Sequence, residues 1–316
     1  MKKLALPLLT ALFAPLACDA LMQDQYELTS STSLPEGLAY DDGTHTFFAT
    51  AIRGGQITRV TPVGDEVIFY SDPEPNRSFG GAHVDAERRR LWVCVVDVAT
   101  NPFPVSQVFG FHIDTRKRTH VIPLPTPSFC NDLVTDDDGV VYATDSATPQ
   151  VLRIDPNQGE VEVLTTLPVT PPVGGIGLNG IDVSPDGERL LVVSSFPAKL
   201  FSVPLAAPGN YVEVGTIGDP FAMPGNPLFP GPDGIEFVGE QLYVVYDGGV
   251  QRLTFSGDDW TQASVATTMA VPTGLTSLTE ANGELYAIDS EVFRVLYLGQ
   301  APELPFRILH VDAGLF

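Results

Sequence analysis

The chain has 316 residues, 44% of them hydrophobic, with 29 Gly and 28 Pro and a formal net charge of −22. That length can bury a large core, and the Gly and Pro content describes a folded, turn-rich protein rather than a helical or disordered one. So acidic a surface repels nucleic acid and anionic membranes, which removes both from the expected partners.

The first element lies at the N-terminus, where Lys2 and Lys3 precede an apolar run from Leu4 to Leu16, with small residues at Ala17 and Ala20. It reads as a secretory signal over residues 1–20, too short to span a bilayer, and predicts export to a periplasmic or extracellular setting. Cys18 offers a second reading as a lipidated first residue, although Pro15 stands where a lipobox wants Leu. Beyond the leader only Cys94 and Cys130 remain. Export would permit a disulfide between them, and two separate buried thiols account for them equally well.

From residue 21 to residue 316 a repeat organises the chain into one domain. Six copies of a short pattern, a polar or small residue, apolar positions, a turn and an apolar strand, start at Glu36, Gly80, Asn131, Asn179, Asp233 and Thr273, at intervals of 40 to 54 residues. Each start leads to a second strand with a bulky residue: Phe48, Trp92, Tyr142, Leu191, Tyr243 and Tyr286. Third strands are predicted at ITRV (57), VFGFHI (108), VLRI (151), LFSV (200), VQRL (250) and VFRV (292). Fourth strands are predicted at EVIFY, HVIPL, EVEVL, YVEVG, QASVA and FRILHV, and residues 24 to 34 are expected to help close a ring. Four strands repeated at this interval predict an all-β fold, a six-bladed β-propeller of four-stranded blades.

In a propeller the first strand of each blade lines the channel, so the six starting positions converge at one mouth. Glu36 and Asp233 then share a small volume with Asn131 and Asn179. Two carboxylates packed together without a cation force one to protonate, whereas a divalent cation accepts all four oxygens. Ca²⁺ takes hard oxygen ligands in this way, and no His or Cys among the six positions points to zinc or copper. Asp or Asn at a strand start also commonly caps a turn, which explains any one of these residues and the set of four poorly.

The motifs PEG (35–37), ND (131–132), NGIDVSPDG (179–187) and PDGIEF (232–237), in that order across blades 1, 3, 4 and 5, resemble those of the senescence marker protein/gluconolactonase (regucalcin-like) family of six-bladed propellers. Fluorophosphatases and paraoxonases resemble it more distantly. The resemblance implies Glu36, Asn179 and Asp233 as metal ligands and Asn131 as a residue on the metal or the substrate beside it. It also implies Asp233 as the catalytic carboxylate and a monomer that hydrolyses a lactone, ester or similar small molecule. Members that take sugar-acid lactones carry Arg two residues before the blade 3 Asn, where this chain has Phe129, so an apolar substrate is expected. Gly80 stands where paraoxonase-like members have His, which removes a His dyad. The alternative function is a non-catalytic propeller that the same metal staples and that binds a ligand or protein partner.

Further polar residues need placing. Strand alternation turns His83, Asp182 and Glu236, each three positions after a blade start, away from the channel unless a bulge intervenes, so a structural role is expected. Asp136, Asp137 and Asp138 lack EF-hand spacing and read as a hairpin turn ending in Gly139. Asp145 and Asp289 recur at matching positions and are expected to serve hydrogen bonding within blades. The Pro-rich segment before Asp233, with Phe221, Met223 and Phe229, is expected to shape the pocket.

Overall fold

The structure is a computed structural model that describes residues 22–100, 105–171, 175–217, 231–246, 249–257, 259–269 and 274–311. The expected leader with Cys18, the residue Thr273, and Phe221, Met223 and Phe229 lie outside the described residues. Six antiparallel sheets follow one another in the order of the repeats. Blade 1 takes Pro35–Asp41, Thr46–Ala51, Gln56–Val60 and Glu66–Ser71; blade 2 takes Arg77–Asp85, Arg90–Asp97, Val105–His112 and Lys117–Pro123. Blade 3 runs from Cys130–Thr135 to Glu160–Thr166, and blade 4 from Leu178–Val183 to Val212–Glu213. Blade 5 is built on Ile235–Val238, Gln241–Tyr246, Gly249–Phe255 and Gln262–Met269, with Gly215–Ile217 added in parallel to its outer edge.

Blade 6 departs from the pattern. Its third strand is Phe306–Val311, which pairs with Glu284–Asp289, and its fourth is the N-terminal Gln25–Leu28. The ring is thus closed by strands from opposite ends of the chain, as residues 24 to 34 were expected to do. VFRV is not the third strand and FRILHV is not the fourth. Residues Val292–Leu296 instead form a short helix, α1, after Glu291 turns the chain with a left-handed φ of 56°. The reason lies in the faces: Phe306 and Ile308 face one inter-blade cluster while Leu309 and Val311 face the next, as strand alternation requires, whereas Val292, Phe293, Leu296 and Tyr297 gather at helical spacing against a cavity.

Apolar packing between neighbouring blades holds the ring. Six buried clusters each join one blade to the next, from Phe47 with Tyr286 between blades 1 and 6 to Leu191 with Leu242 between blades 4 and 5. All six bulky second-strand residues are buried, and Trp92 fits only because its cross-strand partner is Gly110, where an added Cβ would lie 2.6 Å from the indole. Cys94 and Cys130 form a disulfide that ties the second strand of blade 2 to the first strand of blade 3. The Asp136 turn closes as expected, with Val140 N–H donating to its carboxylate and Gly139 at a φ of 77°.

Candidate functional site

A bulge in the first strands sets the site. In blades 1 to 4 the pairing with the second strand slips at Pro35/Leu38, Phe79/Ala82, Cys130/Leu133 and Leu178/Ile181, the segments that carry the register residues. The first strands also crowd one another, so in blades 1, 2, 4 and 5 Gly follows the register residue: a Cβ on Gly234 would come within 2.7 Å of the Thr276 carbonyl, and one on Gly180 would strike the Asp233 carbonyl. That contact fixes the sixth position. It is Thr276, three residues beyond Thr273, and its hydroxyl donates to the Glu36 carbonyl at 2.8 Å.

Glu36, Asn131, Asn179 and Asp233 line one cavity of about 730 Å³, with Gly80 and Thr276 between them. The structure therefore brings together all four residues read from the sequence. Each amide is oriented from behind. Asn131 donates its Nδ2–H to Ser146 Oγ at 3.0 Å, and Asn179 does the same to Ser195 Oγ at 3.0 Å. Those hydroxyls in turn donate to carbonyls of the next blade, Ser146 to Leu178 and Ser195 to Pro232. With its nitrogen engaged, each side chain turns its acceptor oxygen away from the serine. Sequence reasoning missed both serines, although each closes its second strand at an equivalent point, in TDSA and VSSF.

The carboxylates face no cation in the protein. Among the described residues no Lys, Arg or His lines this cavity. Glu36 Oε2 is buried without a hydrogen-bond partner, and a Cβ on Gly80 would sit 3.6 Å from it, so Gly80 keeps space open beside the carboxylate. Burial pushes the Glu36 carboxyl well above its usual range, and the charges of Asp233 and Asp132 push it further. Asp233 is raised by burial and by Asp132, while the Asn179 side chain pulls it the other way. Among the described residues no group of three or more His, Cys, Asp or Glu is disposed to hold a metal. The donor set here is two carboxylates and two amides, all oxygen, and it fits a hard divalent cation with positions left for water or substrate.

A second cavity of about 180 Å³ lies further along the same first strands, lined by His83, Asp132, Asp182, Glu236 and Glu280. Alternation predicted that His83, Asp182 and Glu236 turn away from the channel; in blades 2 and 4 the bulge reverses the faces, and all three residues line this second cavity. The carboxylates still serve the fold, because each reaches the backbone of the next blade. Asp132 accepts from Ile181 N–H at 3.4 Å, Asp182 from Phe237 N–H at 2.7 Å and Glu236 from Glu280 N–H at 3.0 Å. Burial raises Asp132 to about 7 and lowers His83 to about 4. Asp145 takes its expected role, accepting from Phe129, Ala147 and Thr148 N–H, whereas Asp289 Oδ1 has no partner.

A family model described as "SMP-30/Gluconolactonase/LRE-like region" matches residues 34–286. No curated protein matches the chain in sequence. Among solved structures, the major Malassezia sympodialis allergen Mala s 1 is 15% identical with a TM-score of 0.70, over 92% of this chain and 96% of that one. The gluconolactonase XC5397 from Xanthomonas campestris is 16% identical with a TM-score of 0.61, over 91% and 89%. A luciferin-regenerating enzyme is 13% identical with a TM-score of 0.61, over 91% and 95%. Likeness at these identities shows the fold.

Proposed function

Since the chain belongs to the SMP-30/gluconolactonase/LRE-like family, we propose that it is a calcium-dependent hydrolase of a lactone, ester or similar small molecule. The observation that carries this reading is the unpartnered, buried Glu36 Oε2 among the oxygens of Asn131, Asn179 and Asp233 at the base of a large cavity. Those four residues would hold the ion. When bound, Ca²⁺ supplies Lewis-acid polarisation of the scissile carbonyl. Asp233 is the base that takes a proton from the attacking water, and Asn131 orients the substrate beside the ion. Ser146 and Ser195 keep the two amides aligned, and the apolar walls limit bulk water around the reacting groups.

The Lys2–Lys3 start with its apolar run, together with the Cys94–Cys130 disulfide, supports export to an oxidising periplasmic or extracellular compartment. The activity test is a panel of aliphatic lactones, sugar lactones and aryl esters with and without Ca²⁺. The proposal expects turnover that chelation abolishes and that Asp233→Asn lowers by at least about a hundredfold, the low end of general acid–base contributions. Absence of turnover across the panel, or turnover indifferent to Asp233, refutes the hydrolase.

A further inference from the structure

Resting on the hydrolase reading, we infer that the substrate is a neutral lactone or ester with a sizeable apolar substituent, and that helix α1 is the element that selects it. The cavity wall is mainly apolar, with six large side chains, Phe129, Ile176, Leu275, Phe293, Leu296 and Tyr297, lining it beside Ser78 and Asp97. Three of the six come from α1 and the turn that follows it. The rings of Phe293 and Tyr297 stack with centroids 5.3 Å apart and planes 20° from parallel, which packs them into one aromatic unit on this wall. Tyr297 stands close enough to feel the charge of Asp233, so the aromatic face and the acidic base belong to the same space.

The wall also excludes other substrates. With the ion bound, the charges of Glu36 and Asp233 are balanced, and an anionic substrate still meets Asp97 with no Lys, Arg or His among the described lining residues to compensate. A sugar lactone would bring several hydroxyls, each costly to bury without a partner. Two of the cavity's hydroxyls are already committed: Ser146 donates to Leu178 O and accepts from Asn131, and Thr276 donates to Glu36 O. An alkyl or aryl group needs no such partners and gains from leaving water. The cavity volume of about 730 Å³ accommodates a medium-sized ligand rather than a bare five-membered ring.

Binding and turnover are measured on the full chain in Ca²⁺ with two matched series. The first is 3-alkylcyclopentanones, which are inert to hydrolysis and are followed by calorimetry; the second is the corresponding γ-alkyl lactones, in which oxygen replaces ring carbon 2, followed by ring opening. Affinity for the ketones is expected to rise about two- to fourfold per methylene over the first several carbons, as burial of each CH₂ group predicts. In the Phe293→Ala/Tyr297→Ala double variant that dependence is expected to flatten, with the fold checked by circular dichroism. Ketone affinity independent of chain length in the native protein overturns the inference, whatever the double variant does. Chain-length-dependent ketone binding with no lactone opening supports the apolar pocket and refutes the hydrolase alone, so the two failures are distinct.

Discussion

Asn179 donates its side-chain amide to Ser195 at 3.0 Å, and Ser195 passes its own hydroxyl to the carbonyl of Pro232, the residue before Asp233. One serine on blade 4 thus orients a proposed metal ligand of its own blade and anchors the backbone that carries a second proposed ligand, on blade 5. Ser195→Ala leaves the amide free to rotate. The expected result is a loss of about 10- to 100-fold in calcium affinity by calorimetry, the range usual for residues that orient ligands. Unchanged affinity would mean that the serine does not set the amide.

Asn179→Leu removes the oxygen while keeping similar bulk. Calcium binding is expected to weaken at least tenfold, and the metal-free melting temperature to stay within a few degrees of the parent, because the blade clusters that hold the ring do not depend on this side chain. Loss of the folded state in the metal-free variant would return Asn179 to a purely structural role.

The disulfide closes a loop of 36 residues and ends one residue before Asn131. Its removal in Cys94→Ala/Cys130→Ala is expected to lower stability by about 3–4 kcal/mol through the greater freedom of the unfolded chain. Denaturant titration in chelator measures this without the ion. A change below about 1 kcal/mol would contradict that contribution.

The lower cavity predicts an unusual dependence on pH in the metal-free protein. Burial raises the Asp182 carboxyl to about 7, and burial followed by the Asp182 charge raises Glu236. Unfolded, both ionise near about 4, so as pH rises from about 4 to about 7 the unfolded chain sheds protons that the folded chain keeps, and stability falls. His83 acts in the opposite sense. Burial holds it at about 4, so as pH drops below about 6.5 the unfolded chain takes up a proton that the folded chain refuses. Thermal melts in chelator are expected to peak on the acid side of neutrality, and His83→Gln to move the peak to lower pH. A maximum above pH 7 would show that these carboxyls ionise at little cost.

Much of this was legible in the sequence because a propeller repeats its grammar. Glu36, Asn131, Asn179 and Asp233 fell in register since each is followed by a channel-lining strand of the same pattern, and the structure gathers them in one cavity. Blade 6 was misread where that grammar fails. It has no Asn, Asp or Gly at its register position, so a threonine three residues early looked equivalent to Thr276. The β-branched run VFRV looked like a strand until the left-handed turn at Glu291 coiled it into α1. The second mistaken expectation, that His83, Asp182 and Glu236 turn outward, came from counting strand alternation through a bulge in blades 2 and 4 and, in blade 5, from counting it from Asp233 although the strand starts at Ile235. That inserted residue changes the face of everything after it.

The central claim is that four oxygens from blades 1, 3, 4 and 5 hold one divalent cation. An anomalous difference map at long wavelength, from crystals grown in Ca²⁺, tests it most directly. One strong peak is expected in the upper cavity, with Glu36, Asn131, Asn179 and Asp233 oxygens all at about 2.3–2.6 Å. A map with no peak there, or with calcium bound only elsewhere on the acidic surface, would contradict it.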